Sequence, residues 1–382
     1  MFPYDDFGLN VGGVDQWLNG IPMLMKHHKV PGLALAIWED GQCSRITCYG
    51  QANPKNRVNE HTLFQAGSIS KTFTTWAVMN MAEEGSLDLQ ASVEKLIPWW
   101  SIPSSPFNNS QITIKSLLSH TGGVNISSYL GYEKQNMPDL VDSPTFNHRH
   151  GIKIIYDPNR GFYYSGGGYT LLQAIIESQT GMPFAEYMHH NLLVPLGMKD
   201  ATFDNAGDFE KPLAIPYSLL NRPISPLFFV EKAATGLYAS ISDMSKFIGE
   251  HIANREVDAP CFLMPSSLRM MTTRVFRKVN YGLGYRLITF PDNNKLIYHR
   301  GETIGYSSVF AIFPGKRAGI AILSNSNSGH NLISIILSDW ISQVLGSIDE
   351  IYIKYMDLKK RNPLMSYMKY HYLSRKQQRL IH

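Results

Sequence analysis

FQAGSISKTFTT, residues 64–75, places Ser68 and Lys71 three positions apart directly after Gly67. On a helix, positions i and i+3 share a face, so the Lys71 amine can reach the Ser68 hydroxyl. A serine hydroxyl is a poor nucleophile until a neighbour takes its proton, and a lysine can take it once burial lowers its pKa. A serine at a helix start also has a backbone N–H without an intrahelical partner, available to a developing oxyanion. The alternative is an ordinary surface lysine. Ile69, Phe73, Trp76 and Ala77 continue at helical spacing and Gly85 is a natural stop, so a helix carrying the pair is expected to run to about Glu84. The spacing alone decides little, because S-x-x-K occurs three times: Ser68/Lys71, Ser92/Lys95 and Ser366/Lys369. Ser92 lies in the charged DLQASVEKL and Ser366 in a basic tail. Only Ser68 follows Ala-Gly and precedes an apolar helix.

Upstream, Trp17, Leu18, Ile21, Leu24 and Met25 recur at helical spacing between Val14 and His28. VPGLALAIWEDGQCSRITCYG then reads as two strands joined at Glu39-Asp40-Gly41. Downstream, DLQASVEKLIPWW, ITIKSLLSHTGGV, YTLLQAIIESQTG and DMSKFIGEHI are helical patterns broken by Pro- and Gly-rich loops. NYGLGYRLITF, KLIYHRG, YSSVFAIFPG and AGIAILSNS are short β-rich runs at regular spacing, followed by the helical NLISIILSDWISQVLG. Strands at both ends thus enclose a helical middle. The expected fold class is α+β: an antiparallel sheet flanked by helices, formed from both chain ends, with a mostly helical inserted subdomain. One domain is expected over 1–350, its α/β part about 1–65 and 260–350 and its helical part about 66–259, with a separate extension over 351–382.

Two further segments can complete a site around Ser68. In FYYSGGGYTLLQAIIESQTG, Tyr164 precedes a helix and the glycines 166–168 allow close backbone approach. A phenol held near Lys71 can act as general base or relay a proton. By composition, Tyr163 and Tyr169 are equal candidates, and a loop tyrosine with its hydroxyl in water is the bland reading. In HRGETIGY, His299 ends a strand-like run, and Gly301 lets a substrate backbone lie against the strand edge. His120-Thr121-Gly122 has the same H-x-G form, but it follows a helical pattern and reads as a helix end.

S-x-x-K, Y-S-x and H-x-G in that order resemble the serine β-lactamase and penicillin-binding-protein superfamily, in particular its class C β-lactamase-like branch, which includes esterases and D-aminopeptidases. The likeness runs from about Val14 to about Leu345 through PGLALAI, FQAGSISKTFT, ITIKSLLSHTGGV, YYSGGGYTLLQAIIESQTG, LLVPLGMKDATF, AATGLYASISDMSKF and HRGETIGYSSVFAIFP. The resemblance implies Ser68 as nucleophile, Lys71 as base or proton relay, Tyr164 as general base and acid, and His299 with Gly301 lining the site. It also implies an oxyanion hole from the backbone N–H groups of Ser68 and Glu302. The branch's β-lactamases mostly carry Asn two residues after the tyrosine to contact the substrate's acylamide, and this chain has Gly166. Its strand triad is His-Arg-Gly rather than Lys-Thr-Gly. Both departures favour an esterase or D-amino-acid peptidase over an efficient β-lactamase. A catalytically silent scaffold, anchored at a membrane surface by its tail, is the alternative.

The bulk numbers fit this reading. With 382 residues and 44% hydrophobic residues, the chain can bury a large core. From residue 351 on, eight Lys/Arg stand against Asp357 alone. A tail of +7 in a chain of +4 leaves −3 on the body, so a nucleic-acid partner is not expected; the resemblance implies a small-molecule or peptide-like substrate as the partner. The tail mixes its cations with aromatic residues, a composition suited to an anionic membrane surface; a solvated tail is the bland alternative. Three cysteines cannot all pair, and Cys43 and Cys48 fall on opposite faces of a strand. Free thiols, no secretory signal and no apolar run of membrane-spanning length predict a cytoplasmic protein. His27/His28, His189/His190 and the pair His148 and His150 lack the spacing of a metal site, and no G-K-[ST] follows the glycine runs, so no metal or cofactor is expected.

Overall fold

A computed structural model of the chain describes residues 14–147, 149, 151–204, 212–253, 261–276 and 279–346. The extension 351–382, with Ser366 and Lys369, and the residues His148 and His150 lie outside the described residues.

The chain opens with α1 (Val14–His28), which buries Trp17, Leu18, Ile21, Leu24 and Met25 as their spacing predicts. Pro22 lies inside this helix and has no N–H for the Leu18 carbonyl; the Tyr49 hydroxyl donates to that carbonyl instead, at 3.2 Å. The expected hairpin follows as β1 (Gly32–Glu39) and β2 (Gln42–Gly50), with Asp40 and Gly41 both at positive φ, the conformation of a two-residue hairpin turn. Next come β3 (Phe64–Gln65), α2 (Ser70–Glu83), α3 (Ile114–Leu118), α4 (Gly166–Thr180) and α5 (Phe184–Met188). They are followed by α6 (Lys232–Thr235), β4 (Tyr238–Ala239), α7 (Ile241–Ala253) and α8 (Pro265–Met271). The described chain ends with β5 (Arg286–Thr289), β6 (Lys295–Thr303), β7 (Tyr306–Phe313), β8 (Ala318–Ser324) and α9 (Gly329–Leu345).

Six strands form one antiparallel sheet in the order β2-β1-β8-β7-β6-β5, so the two chain ends do meet in a single sheet. β1 shows why its sequence is an unbroken apolar run. Leu33, Leu35 and Ile37 face a core shared with α1 and α9, while Ala34 and Ala36 face the core of α2 and α7. Small residues on the second face let α7 come close: a Cβ on Gly319 would stand 2.4 Å from an Ile248 methyl. By its packing α7 belongs to the sheet, on β1 and β8, although its position at 241–253 falls within the stretch expected to be the helical part.

Two local expectations fail. DLQASVEKLIPWW holds only a 3₁₀ turn, Val93–Lys95, because Val93 N–H bonds the Ile112 carbonyl and Val93, Ile97 and Trp100 are buried one by one in the core. NYGLGYRLITF becomes strand only at Arg286, because residues 281–284 are drawn away to other partners: Leu283 N–H bonds Met271 and the Gly284 carbonyl accepts from Thr72. The thiols of Cys43, Cys48 and Cys261 are free. No helix among the described residues is long and apolar enough to cross a membrane.

Candidate active site

From Ser70 to Met79 every residue of α2 is buried, so its apolar residues are not confined to one face as a surface helix would require. Its polar side chains must then find partners inside the protein. Ser70 donates to the Gly67 carbonyl, Thr72 to Gly284, Thr74 to Ala233 and Thr75 to Lys71. Thr74 thereby ties the helix to α6 and Thr72 ties it to the loop before β5.

Ser68 lies one step earlier than expected, in a 3₁₀ turn over Gly67–Ile69 that leads into α2. It is half-buried, while Lys71 below it is 2% exposed. Lys71 Nζ is 3.2 Å from Ser68 Oγ and 2.6 Å from the Ala234 carbonyl, to which it donates. Burial, followed by the charge of Arg286, lowers the Lys71 pKa to about 7. The surface-lysine reading is therefore excluded by the fold.

β5 pairs only with residues 295–298 of β6, so beyond Tyr298 that edge of β6 is not covered by β5. The turn carrying Ser68 packs against that edge. Gly67 has φ +53°, and a Cβ there would stand 2.8 Å from the Glu302 backbone nitrogen. The amide of Glu302 thus lies beside the serine. Its side chain is exposed and meets His330.

Gly301 makes a different contact from the one expected. A Cβ at this position would lie 1.8 Å from the Ala66 carbonyl oxygen, so the missing side chain seats the strand on the Ser68 turn. Gly301→Ala is expected to cost about 1–3 kcal/mol, because both colliding groups are constrained by backbone. A thermal melt with the variant as stable as the parent would contradict this contact.

Of the three tyrosines, Tyr164 joins the cluster as a reacting candidate. Lys71 Nζ is 5.1 Å from the centre of its ring and Arg286 Cζ is 5.7 Å away. Burial raises the Tyr164 pKa, while the neighbouring Ser68 hydroxyl and Arg286 pull it down. Tyr163 packs instead on Tyr156, and the Tyr169 hydroxyl is spent on the Leu118 carbonyl and Thr75. Gly166 starts α4, and a Cβ there would lie 2.9 Å from the Tyr129 ring. That ring fills the space into which a side chain at this position would project.

His299 is 1% exposed, in the middle of β6 rather than at its end, with its ring centre 6.3 Å from that of Tyr164. His120 does close a helix, at φ +58° after α3, but it is no bystander: its ring centre is 4.3 Å from that of Tyr164. Sequence reasoning missed this role for His120, and it missed Arg286, Tyr281 and the Ala234 carbonyl altogether. Arg286 and Tyr281 follow Ser68 by more than two hundred residues, in a run legible only as β-rich, so no local signal marks them. Together the cluster offers a half-buried hydroxyl, an amine poised near neutrality, a phenol and an adjacent backbone amide.

The sequence matches the family profile described as Beta-lactamase over residues 21–333. Protein flp of Staphylococcus aureus is 27% identical over 323 residues, covering 80% of this chain. The chain spans 61% of that relative's own length. Among solved structures, an octameric penicillin-binding protein homologue from Pyrococcus abyssi is similar at a TM-score of 0.73 and 25% identity, over 88% of this chain and 78% of the other. SurE, in a crystal structure with D-Leu, is similar at a TM-score of 0.70 and 26% identity, over 86% and 75%.

Proposed function

The chain belongs to the beta-lactamase family, and from that membership we propose that it is a serine hydrolase that forms an acyl-enzyme on Ser68. The observation that carries the reading is a buried lysine with a pKa near 7, 3.2 Å from a half-buried serine hydroxyl. A neutral Lys71 donates one N–H to the Ala234 carbonyl and turns its lone pair to the Ser68 hydroxyl. In the proposed cycle Ser68 Oγ attacks the substrate carbonyl carbon and its proton passes to Lys71. The oxyanion lies between the N–H groups of Ser68 and Glu302. Tyr164, whose phenol is held neutral, gives its own proton to the leaving alcohol or amine as the carbonyl re-forms and is left as a phenolate. Water then attacks the acyl-enzyme and its proton passes to that phenolate; Lys71 returns its proton to Ser68 Oγ as the free acid leaves. The shifts favour Lys71 over Tyr164 as the first base, since one is lowered toward neutrality and the other raised away from it.

Esters or amides of D-amino-acid type are the preferred substrates in this reading. The ring of Tyr129 over Gly166 and the absence of an amide there argue against efficient β-lactam turnover, and a structural neighbour bound to D-Leu points the same way. The test is a panel of short-chain p-nitrophenyl esters, D- and L-amino-acid p-nitroanilides and nitrocefin, with intact-mass detection of the adduct. Turnover of the esters or D-amides, with an adduct mapped to Ser68, is expected. Folded protein that turns over nothing and takes no fluorophosphonate would instead be the silent scaffold.

A further inference from the structure

A line of buried polar side chains crosses beneath the cluster, and its hydrogen bonds can be given directions. Ser165 N–H lies 3.0 Å from His120 Nδ1, and a backbone N–H can only donate, so Nδ1 accepts. In a neutral His120 the proton is then on Nε2, which is 3.1 Å from the Tyr281 hydroxyl and donates to it. From the other end, His299 Nδ1 is 2.8 Å from the Arg300 carbonyl, which can only accept, so Nδ1 carries the proton. His299 Nε2 is then a lone pair, and the Tyr281 O–H donates to it across 3.3 Å. The two ends are fixed independently and meet at Tyr281, whose oxygen accepts from His120 and whose one O–H has both His299 Nε2 and the Tyr169 hydroxyl as neighbouring acceptors.

We propose that Tyr281 is a positioning residue: its hydroxyl closes a one-directional hydrogen-bond chain, Ser165 to His120 to Tyr281 to His299 to Arg300, that holds the Tyr164 loop against β6. Ser165 follows Tyr164 directly, and His299 lies three residues before Glu302. The chain therefore sets the distance between the phenol and the amide beside Ser68. Tyr281 is itself held firmly. A Cβ on the next residue, Gly282, would collide with the Met271 carbonyl oxygen at 2.0 Å, and one on Gly284 with Thr75 of α2 at 2.3 Å. Lys71, Arg286, Tyr164 and Tyr169 are the charged or titratable groups that surround this line. Burial first, with Lys71 and Arg286 adding to it, keeps both imidazoles well below the usual histidine pKa and so neutral. A proton added to His120 would set Nδ1–H against Ser165 N–H and break the chain.

The kinetic consequence rests on the acyl-transfer reading, and the chain itself does not, so two measurements on the full-length protein separate them. The first is assignment of the histidine tautomers by ¹⁵N–¹H correlation spectra. His120 is expected as the Nε2–H form and His299 as the Nδ1–H form, both unchanged from pH 6 to 9. The opposite tautomer at either residue, or a charged ring, overturns the proposal even if the enzyme is active. The second is fluorophosphonate labelling of Tyr281→Phe, which keeps the ring and removes the oxygen. The limiting labelling rate is expected to fall roughly 10²-fold, as for a misplacement of about an ångström, with half-saturation nearly unchanged. Its acid limb, set by Lys71, should stay near pH 7. A variant that labels like the parent at every pH overturns the proposal. Should Tyr281→Phe not fold, the tautomers of the parent decide. Parent protein that shows the tautomers but takes no label leaves the chain standing and removes the hydrolase reading.

Discussion

Ser68→Ala is expected to abolish acyl transfer while the protein remains folded. The loss should be roughly 10³-fold or more in kcat, since a nucleophile has no partial substitute. No neighbouring hydroxyl can take over. Ser70 is fully buried, donates to the Gly67 carbonyl and accepts from Leu237 N–H, so its oxygen is committed to the turn. Thr72, Thr74 and Thr75 are likewise bonded to carbonyls. The folded state should be little affected, because Ser68 is half-buried in a short turn and its loss leaves no large cavity; the change in stability should stay within about 1 kcal/mol. Steady-state rates on the best panel substrate, adduct mass and a circular-dichroism melt check the three statements. Undiminished turnover in the alanine variant would move the chemistry to another residue.

The second large effect is on pH dependence. Folding lowers the Lys71 pKa from 10.5 to about 7, so the amine is protonated below that value and free above it. Activity limited by acylation should rise with pH through about 7 and fall about tenfold per unit on the acid side. Lys71→Met should lose roughly 10²–10⁴-fold in rate and show no such limb. The sign for stability is the same. Between about 7 and 10.5 the unfolded chain binds a proton at this lysine that the native protein does not, so this group's contribution to stability rises with pH and is least favourable below about 7. Lys71→Met should therefore melt above the parent at pH 6, with the gap shrinking toward pH 10. Paired melts of the two proteins at both pH values cancel the titration of other groups. A parent with a flat pH profile from 5 to 9 would remove Lys71 from the role of base.

Much of the architecture was legible because its signals are periodic and local. α1 shows its buried stripe, the first hairpin its Asp-Gly turn, and β6, β7 and β8 their short apolar runs. Ser92/Lys95 illustrates the opposite case: the same motif as Ser68/Lys71, in a stretch read as helix that the core breaks into a 3₁₀ turn. At Gly301 and Gly166 the sequence marks a special position without naming its neighbour. A glycine records that something passes close by and cannot say what. Here the neighbours are the Ala66 carbonyl and the Tyr129 ring.

The amino-acid order by itself determined that one antiparallel sheet is made from both chain ends, and that a serine and a lysine share a helical turn, because both follow from repeat spacings of a few residues. Only the tertiary structure decided that burial brings the Lys71 pKa to about 7, that the rings of Tyr164 and Tyr169 both stand beside its amine, and that His120, Tyr281, Arg286 and His299 stand around it. The physical reason is that pKa values and hydrogen-bond directions depend on desolvation and on charges a few ångströms away. Those neighbours come from segments as far apart in the chain as residues 68 and 299, and no local pattern records which of them will meet.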